Sequence, residues 1–141
     1  MAKIEWYIPI TTVSEANTSE HWTKKRQRHK QQQFFIRSLF RRETSETPLP
    51  CVITMTRVSP RLLDDDNLRT AFKWIRDEIS ECIFPEKTSH YISKSGRKIK
   101  IKGRADSDPR IKWEYAQEKG KTLGVKIEIA PHIADLSGSL T

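Results

Sequence analysis

The chain has 141 residues, of which 35% are hydrophobic and 31% are charged, and its formal net charge is +8. This size suits one domain that buries a core without disulfides or a structural metal. No apolar run reaches the roughly 18 residues of a membrane helix, and the positive charge favours a polyanionic partner, most commonly nucleic acid.

The first half of the chain predicts a strand, a long helix and a second strand. Residues 3–10 form the first strand, and Asn17, Thr18 and Ser19 are candidate N-caps for a helix over residues 21–42. The middle of that helix is polar on every side, so we expect it to be solvated or to face a partner rather than the protein's own core. Residues 51–58 are rich in β-branched side chains and predict a strand.

The second half predicts one helix and two strands. Residues 86–104 are polar and lysine-rich, with a candidate hairpin turn at Ser95 and Gly96. Residues 111–116 and 125–130 predict two strands that form a terminal hairpin. The helix is predicted by apolar residues that recur with its period: Leu68, Ala71, Phe72, Ile75, Ile79 and Cys82.

This order of elements predicts a single α+β domain over residues 1–131, arranged β-α-β-α-β-β. We expect a mixed sheet that two helices cover mainly on one face. Residues 132–141 are expected to form a flexible tail.

The cysteines and aromatic residues favour structural roles. Cys51 and Cys82 lie in apolar sequence without a metal-ligand pattern, so we read both as buried thiols of a cytoplasmic protein in a reducing compartment. Tyr91, in the polar segment, is the one aromatic residue expected to contact DNA. Five others are expected in the core: Trp6, Trp22, Trp74, Trp113 and Tyr115.

Three adjacent carboxylates, Asp64, Asp65 and Asp66, join the second strand to the second helix. A single Asp there is explained as a helix N-cap. In an extended stretch Asp64 and Asp66 would point the same way, and two converging carboxylates suit Mg²⁺. Asp106 and Asp108 form a second such pair before the third strand. From spacing alone, the metal-site and N-cap interpretations both stay open.

Around these carboxylates the chain resembles the RusA family of Holliday junction resolvases, in its phage-type form. The motif Asp-x-Asp-Asn-Leu, which opens a helix in that family, reads here from Asp64 to Leu68, and Asp108 precedes a strand. The segments 17–22 and 115–120 are also similar to phage-encoded members, so the resemblance covers nearly the whole domain.

The resemblance implies a homodimeric endonuclease that uses Mg²⁺ or Mn²⁺ to nick four-way DNA junctions symmetrically in recombination and repair. It implies that Asp64, Asp66 and Asp108 are the catalytic, metal-binding carboxylates. The chain departs from the family at Thr70, where members often have a functional lysine, and Arg69 or Lys73 is the candidate replacement. Residues 86–104 look like an insertion relative to the shortest members.

Two basic clusters are the predicted DNA-binding surfaces, because phosphate contacts provide affinity without base specificity. The alternatives are that each cluster is merely solvated, that the chain binds DNA without cutting it, or that it cuts forks or flaps. The apolar end of the first helix (Phe34, Phe35, Ile36, Leu39, Phe40) is expected to lie partly in a dimer interface. The clusters are Lys24, Lys25, Arg26, Arg28 and Lys30, and Lys94, Arg97, Lys98, Lys100, Lys102 and Arg104.

Overall fold

The computed structural model describes residues 3–13, 21–42, 47–85, 89–101 and 107–132, with only the backbone described for 89–91 and 98–101. The α+β class is confirmed. The predicted caps Asn17, Thr18 and Ser19 and most of the predicted tail lie outside these residues. The elements are β1 (Ile4–Ile8), α1 (Trp22–Arg42), β2 (Cys51–Ser59), α2 (Asp65–Ala71), α3 (Lys73–Ile83), β3 (Ser89–Ile92), β4 (Lys98–Ile101), β5 (Ile111–Lys119) and β6 (Gly124–Pro131).

Four strands form a mixed sheet in the order β1-β6-β2-β5. β2 and β5 run parallel, with Cys51 opposite Ile111 and Ser59 opposite Lys119, whereas β6 is antiparallel to β1 and β2. The predicted terminal hairpin is therefore wrong, because β2 lies between β5 and β6. The alternately buried side chains of β2 suit a sheet that is covered on one face.

The helices cover one face of the sheet, as predicted. The core joins alternate residues of the central strands, such as Ile53 of β2 and Ile127 of β6, to Ile36 of α1 and Ile75 of α3. The opposite face carries ion pairs, including Lys126 with Glu118. Among the described residues no helix has both the length and the apolar character needed to cross a membrane.

The second predicted helix is divided at Phe72. This buried residue has φ −97° and ψ 0°, and its N–H donates to the carbonyls of Arg69 and Thr70. The bond to Arg69 spans three residues, which tightens the helix locally as in a 3₁₀ turn. α3 then continues with the N–H of Arg76 bonded to the Phe72 carbonyl at 2.8 Å.

The polar middle of α1 has one buried face, contrary to the expectation that it is solvated or faces a partner. Arg28 and Gln32 are buried in line with Ile36, at four-residue spacing. Gln32 Nε2 donates to the Thr11 carbonyl at 2.8 Å. Hydrogen bonding lets a polar side chain be buried at modest cost, which apolar periodicity does not reveal.

The apolar end of α1 packs largely onto the protein's own core. Phe35, Leu39 and Phe40 contact the core and Ile36 lies within it, while Phe34 is 67% exposed. Of the five apolar residues predicted to lie partly in a dimer interface, only Phe34 is therefore exposed.

The aromatic residues divide between the core and the surface. Trp6, Trp113 and Tyr115 pack against the core as expected. Trp22 is 64% exposed and Trp74 is 36% exposed, so assigning these two to the core was wrong. The Trp74 ring instead stacks on His29, with ring centroids 4.1 Å apart.

Candidate functional site

The three consecutive aspartates form an exposed acidic junction, defined as Asp64, Asp65 and Asp66, between β2 and α2. Asp64 is the N-cap of α2. Its Oδ1 accepts the N–H of Asn67 at 2.9 Å, and its Oδ2 accepts the side-chain amide of Asn67 at 3.0 Å. The N-cap interpretation is confirmed for Asp64, and Asp65 does not take that role.

The backbone of the acidic junction is not the extended chain that would pair Asp64 with Asp66. Asp64 has an extended backbone (φ −72°, ψ 169°), but Asp65 and Asp66 already belong to the first turn of α2. The alternation of an extended chain therefore does not align Asp64 with Asp66. Each Asp64 oxygen still has lone-pair capacity beyond its bond to Asn67, so capping and metal binding are chemically compatible.

A half-buried glutamine fixes the backbone that leads into the acidic junction. Gln117 of β5 accepts the Leu63 N–H through Oε1 at 2.9 Å and donates from Nε2 to the Leu63 carbonyl at 2.6 Å. These two hydrogen bonds join Leu63 to β5, although the two residues are 54 positions apart in sequence. The acidic junction is therefore attached to the edge of the sheet rather than to a free loop.

A buried arginine supports the same segment from β2. Arg57 is 7% exposed, donates to the Arg61 carbonyl at 2.7 Å and donates to Thr12 Oγ1 at 3.1 Å. Desolvation lowers its pKa. Arg57 and Gln117 were missed as candidate functional residues. The available signal was the strand alternation, since Arg57 falls on the inward phase with Ile53 and Met55.

The basic half of α1 lies at the same end of the sheet as the acidic junction. Gln32 of α1 bonds the Thr11 carbonyl, while Arg57, which holds residue 61, bonds the side chain of Thr12. Two neighbouring threonines thus connect the helix to the segment that carries the carboxylates.

Asp108 lies in a different environment. It is 5% exposed, and both its carboxylate oxygens accept from the Arg110 guanidinium, Oδ1 from Nε at 3.0 Å and Oδ2 from Nη2 at 2.9 Å. Its carbonyl accepts from Ile111, the first residue of β5. Phe84, after the end of α3, packs under the Arg110 guanidinium, 4.4 Å from ring centroid to Cζ.

Within one chain the structure does not bring Asp108 to the acidic junction. Asp108 precedes the first residue of β5, while Leu63 is held by Gln117 near the end of that strand. The six steps from Ile111 to Gln117 span about 20 Å of extended chain. No cluster of three metal-ligating side chains occurs in the part of the chain that the structure describes, and Asp106 lies outside it.

The first basic cluster is divided by the burial of α1. Lys24, Arg26 and Lys30 are exposed, Lys25 is half-buried, and Arg28 is 8% exposed on the inner face. The exposed three can contact phosphates without rearrangement, whereas Arg28 belongs to the protein interior.

The two cations proposed to replace the family lysine are both exposed. Arg69 lies one turn after the acidic junction, with its Cζ 5.9 Å from the Tyr115 ring centroid. Lys73 is the first residue of α3. Thr70 itself donates its hydroxyl to the Asn67 carbonyl at 3.0 Å, so its side chain is engaged in the helix.

The second basic cluster lies on a hairpin that the sequence predicted. β3 and β4 pair antiparallel, and Gly96 in the turn has φ +83°, a conformation that favours glycine. Lys94 and Arg97 are exposed in this turn. Of the remaining predicted contacts, Lys98 and Lys100 have only their backbone described, like Tyr91, and Lys102 and Arg104 lie outside the described residues.

Comparisons with protein-family models, with curated proteins and with solved structures found no significant match. The residues themselves therefore carry the functional argument.

Proposed function

We propose that this protein is a magnesium-dependent, structure-selective DNA endonuclease that acts as the RusA-type resolvases do on four-way junctions. The observation that carries the proposal is the placement of exposed carboxylates and exposed cations at one end of the sheet. Arg57 and Gln117 fix the segment that presents Asp64 and Asp66. Two bonded threonines bring the basic half of α1 to the same end.

The donor set of the acidic junction suits Mg²⁺. This cation prefers hard oxygen ligands and commonly uses one or two carboxylates, with water and phosphate oxygens completing its shell. Asp64 and Asp66 would provide those carboxylates, and Mn²⁺ would fit the same ligands. When bound, Mg²⁺ polarises a phosphate oxygen and lowers the pKa of an attacking water.

The chain's own cations would hold the DNA around this site. Lys24, Arg26 and Lys30 would bind backbone phosphates from α1, and such contacts suit an enzyme that recognises DNA shape rather than sequence. Arg69 lies three residues after Asp66, on the adjacent helical turn. It is therefore placed to stabilise negative charge on a phosphate held at the junction.

A second candidate is a DNA-binding protein that does not cut. Two observations favour it. Asp64 already serves as the cap of α2, and Asp108 is far from the acidic junction within one chain. Such a protein would bind DNA equally well with and without divalent cation.

The experiment that separates these functions uses labelled four-way junction, replication fork and linear duplex DNA, each with Mg²⁺, with Mn²⁺ or with chelator. The proposal predicts nicks at symmetric positions of the junction that require the cation. Cation-dependent cutting confined to forks would keep the enzyme and change the substrate. Cation-independent binding without cutting on every substrate would favour the second candidate.

A further inference from the structure

The most exposed large apolar side chain in the part of the chain that the structure describes is Ile92, which is 74% exposed. It is the last residue of β3 and lies next to the turn of the β3–β4 hairpin. Isolated apolar residues are common on protein surfaces, so exposure alone assigns no role. The surroundings of Ile92 within the hairpin distinguish it.

Hydrogen bonds hold the turn beside Ile92 in a defined conformation. The Ser93 N–H donates to the Arg97 carbonyl at 2.9 Å, and the Gly96 N–H donates to the Ser93 carbonyl at 2.9 Å. The Ser93 hydroxyl accepts the Arg97 N–H at 3.2 Å. An apolar side chain presented by such a turn loses less conformational freedom on binding than one presented by a free loop.

The apolar side chain of Ile92 lies in a purely cationic segment. Lys94 and Arg97 are exposed in the turn, Lys98 is the strand partner of Ile92, and residues 87–105 contain no Asp or Glu. Charged residues are depleted in the cores of protein interfaces, so these surroundings do not favour another protein as the partner. They suit a partner with anionic groups outside and apolar faces between them, which describes the phosphates and stacked bases of DNA.

The hairpin stands apart from the main sheet. β3 and β4 form a two-stranded sheet of their own, between the end of α3 and the start of β5. The two ends of this segment meet where Phe84, directly after α3, packs under the Arg110 guanidinium, directly before β5, at 4.4 Å. The hairpin can therefore enter a DNA branch while the body of the protein contacts the duplex arms.

We infer that Ile92 is a wedge that inserts between bases at the branch point of a DNA substrate and unstacks them, while Lys94 and Arg97 bind the flanking phosphates. Apolar side chains, isoleucine among them, insert between base steps in proteins that kink DNA. Unstacking costs least where a base is already poorly paired or stacked, which favours the branch point over a continuous duplex. The inference rests on the DNA binding of the proposed function and not on its cleavage step.

The fluorescence of 2-aminopurine tests the wedge in the full-length protein, because this base analogue emits more strongly when it is unstacked. One four-way junction carries the probe at the branch point, and a linear duplex carries it in the same sequence. Chelator prevents cutting, and fluorescence anisotropy shows when each DNA is saturated with protein. The native protein should raise the emission at the branch point and leave that of the duplex unchanged.

Substitutions separate the wedge from the charges around it. Ile92→Thr keeps the β-branched shape that suits a strand but loses apolar surface, so the increase in emission should be lost while duplex binding is kept. Ile92→Leu should keep the increase. Leu123→Thr, at an exposed apolar residue before β6, is the matched control and should behave as the native protein. Lys94→Ala should reduce the slope of log K against log salt by about 0.7–0.9, without loss of the increase at saturation.

Loss of the increase in Ile92→Thr, with the increase kept in Ile92→Leu and Leu123→Thr, would support the wedge. An equal increase with the native protein and Ile92→Thr, or no increase when the native protein is bound, would overturn it. Failure of the native protein to bind any of these DNAs would overturn the proposed function and the wedge together. Binding and unstacking without cutting in Mg²⁺ would support the wedge and reject only the nuclease.

Discussion

The side-chain amide of Gln117 uses both its oxygen and its nitrogen to hold the backbone of Leu63, at 2.9 Å and 2.6 Å. Leu63 directly precedes the acidic junction, so the position of the carboxylates depends on a side chain from another strand.

Replacing Gln117 by Ala should lower the free energy of unfolding by about 1–3 kcal/mol, because two partly buried backbone groups lose their partners. DNA cleavage should fall while DNA affinity is kept, since the basic surfaces are untouched. Urea denaturation and a nicking assay measure the two effects. Gln27→Ala, at an exposed glutamine of α1, is the matched control and should change neither. Wild-type cleavage by Gln117→Ala would show that the anchor is dispensable.

Substitutions at two arginines of α1 should have different effects, because one side chain is exposed and the other is buried. Arg26→Ala should weaken DNA binding and reduce the slope of log K against log salt by about 0.7–0.9, the value of one lost phosphate contact. Arg28→Ala, at a buried residue two positions away, should mainly lower the stability to urea. Fluorescence anisotropy across a salt series gives the slopes. Equal effects of the two changes on DNA binding would contradict the assignment of Arg28 to the interior.

Much of the fold could be predicted from local sequence, but the strand neighbours could not. The helix over 21–42, the β2 strand and the Gly96 turn follow from patterns a few residues long. Strands that are adjacent in sequence usually pair with each other, which favours a hairpin of β5 with β6. In this fold β2 lies between them, and its pairing with both depends on residues far apart in sequence.

The candidate site was predictable in part for the same reason. The Asp triplet and the basic clusters are visible as runs of charge. The anchors Arg57 and Gln117 act across the fold, and the separation of Asp108 from Asp64 follows from the parallel pairing of β2 with β5. The sequence does not show which end of β5 lies beside residue 63.

The free energy of unfolding should fall at alkaline pH, because burial keeps the Cys51 thiol protonated in the folded protein but not in the unfolded chain. Burial raises the pKa of Cys51 from 9.0 to about 11 in the folded protein. The unfolded chain therefore loses this proton first, so the stabilising effect is present below pH 9 and is lost as the pH rises toward 11. An ionising thiol removes up to about 1.4 kcal/mol per pH unit in that window.

The contribution of Cys51 to the pH dependence of stability is measured by comparing the native chain with Cys51→Ala. Urea denaturation of the native chain and of Cys51→Ala at pH 8 and pH 10 should show a smaller loss of stability in the variant, because all other titrating groups are shared. Identical pH dependence of the two proteins would mean that the thiol does not contribute.

Mixed dimers test whether Asp108 acts across the interface of the homodimer that the resemblance to the RusA family implies. Asp66→Asn and Asp108→Asn should each be inactive alone. Their equimolar mixture should recover about one quarter of the wild-type active sites, since half the dimers are mixed and each has one complete site. Mixing Asp64→Asn with Asp66→Asn, which damage the same junction, should recover nothing. No recovery in the first mixture, with both single variants inactive, would place Asp108 outside a shared site.

Cleavage of a labelled four-way junction by Asp66→Asn in Mg²⁺, beside its binding to the same DNA, tests the central claim most directly. The account predicts that the native protein nicks the junction and that Asp66→Asn does not, while its affinity is equal or higher because a charge that repels phosphate is gone. Asp65→Asn, at the neighbouring exposed carboxylate, should keep more activity. Full cleavage by Asp66→Asn, or tight binding without cleavage by the native protein, would contradict the claim.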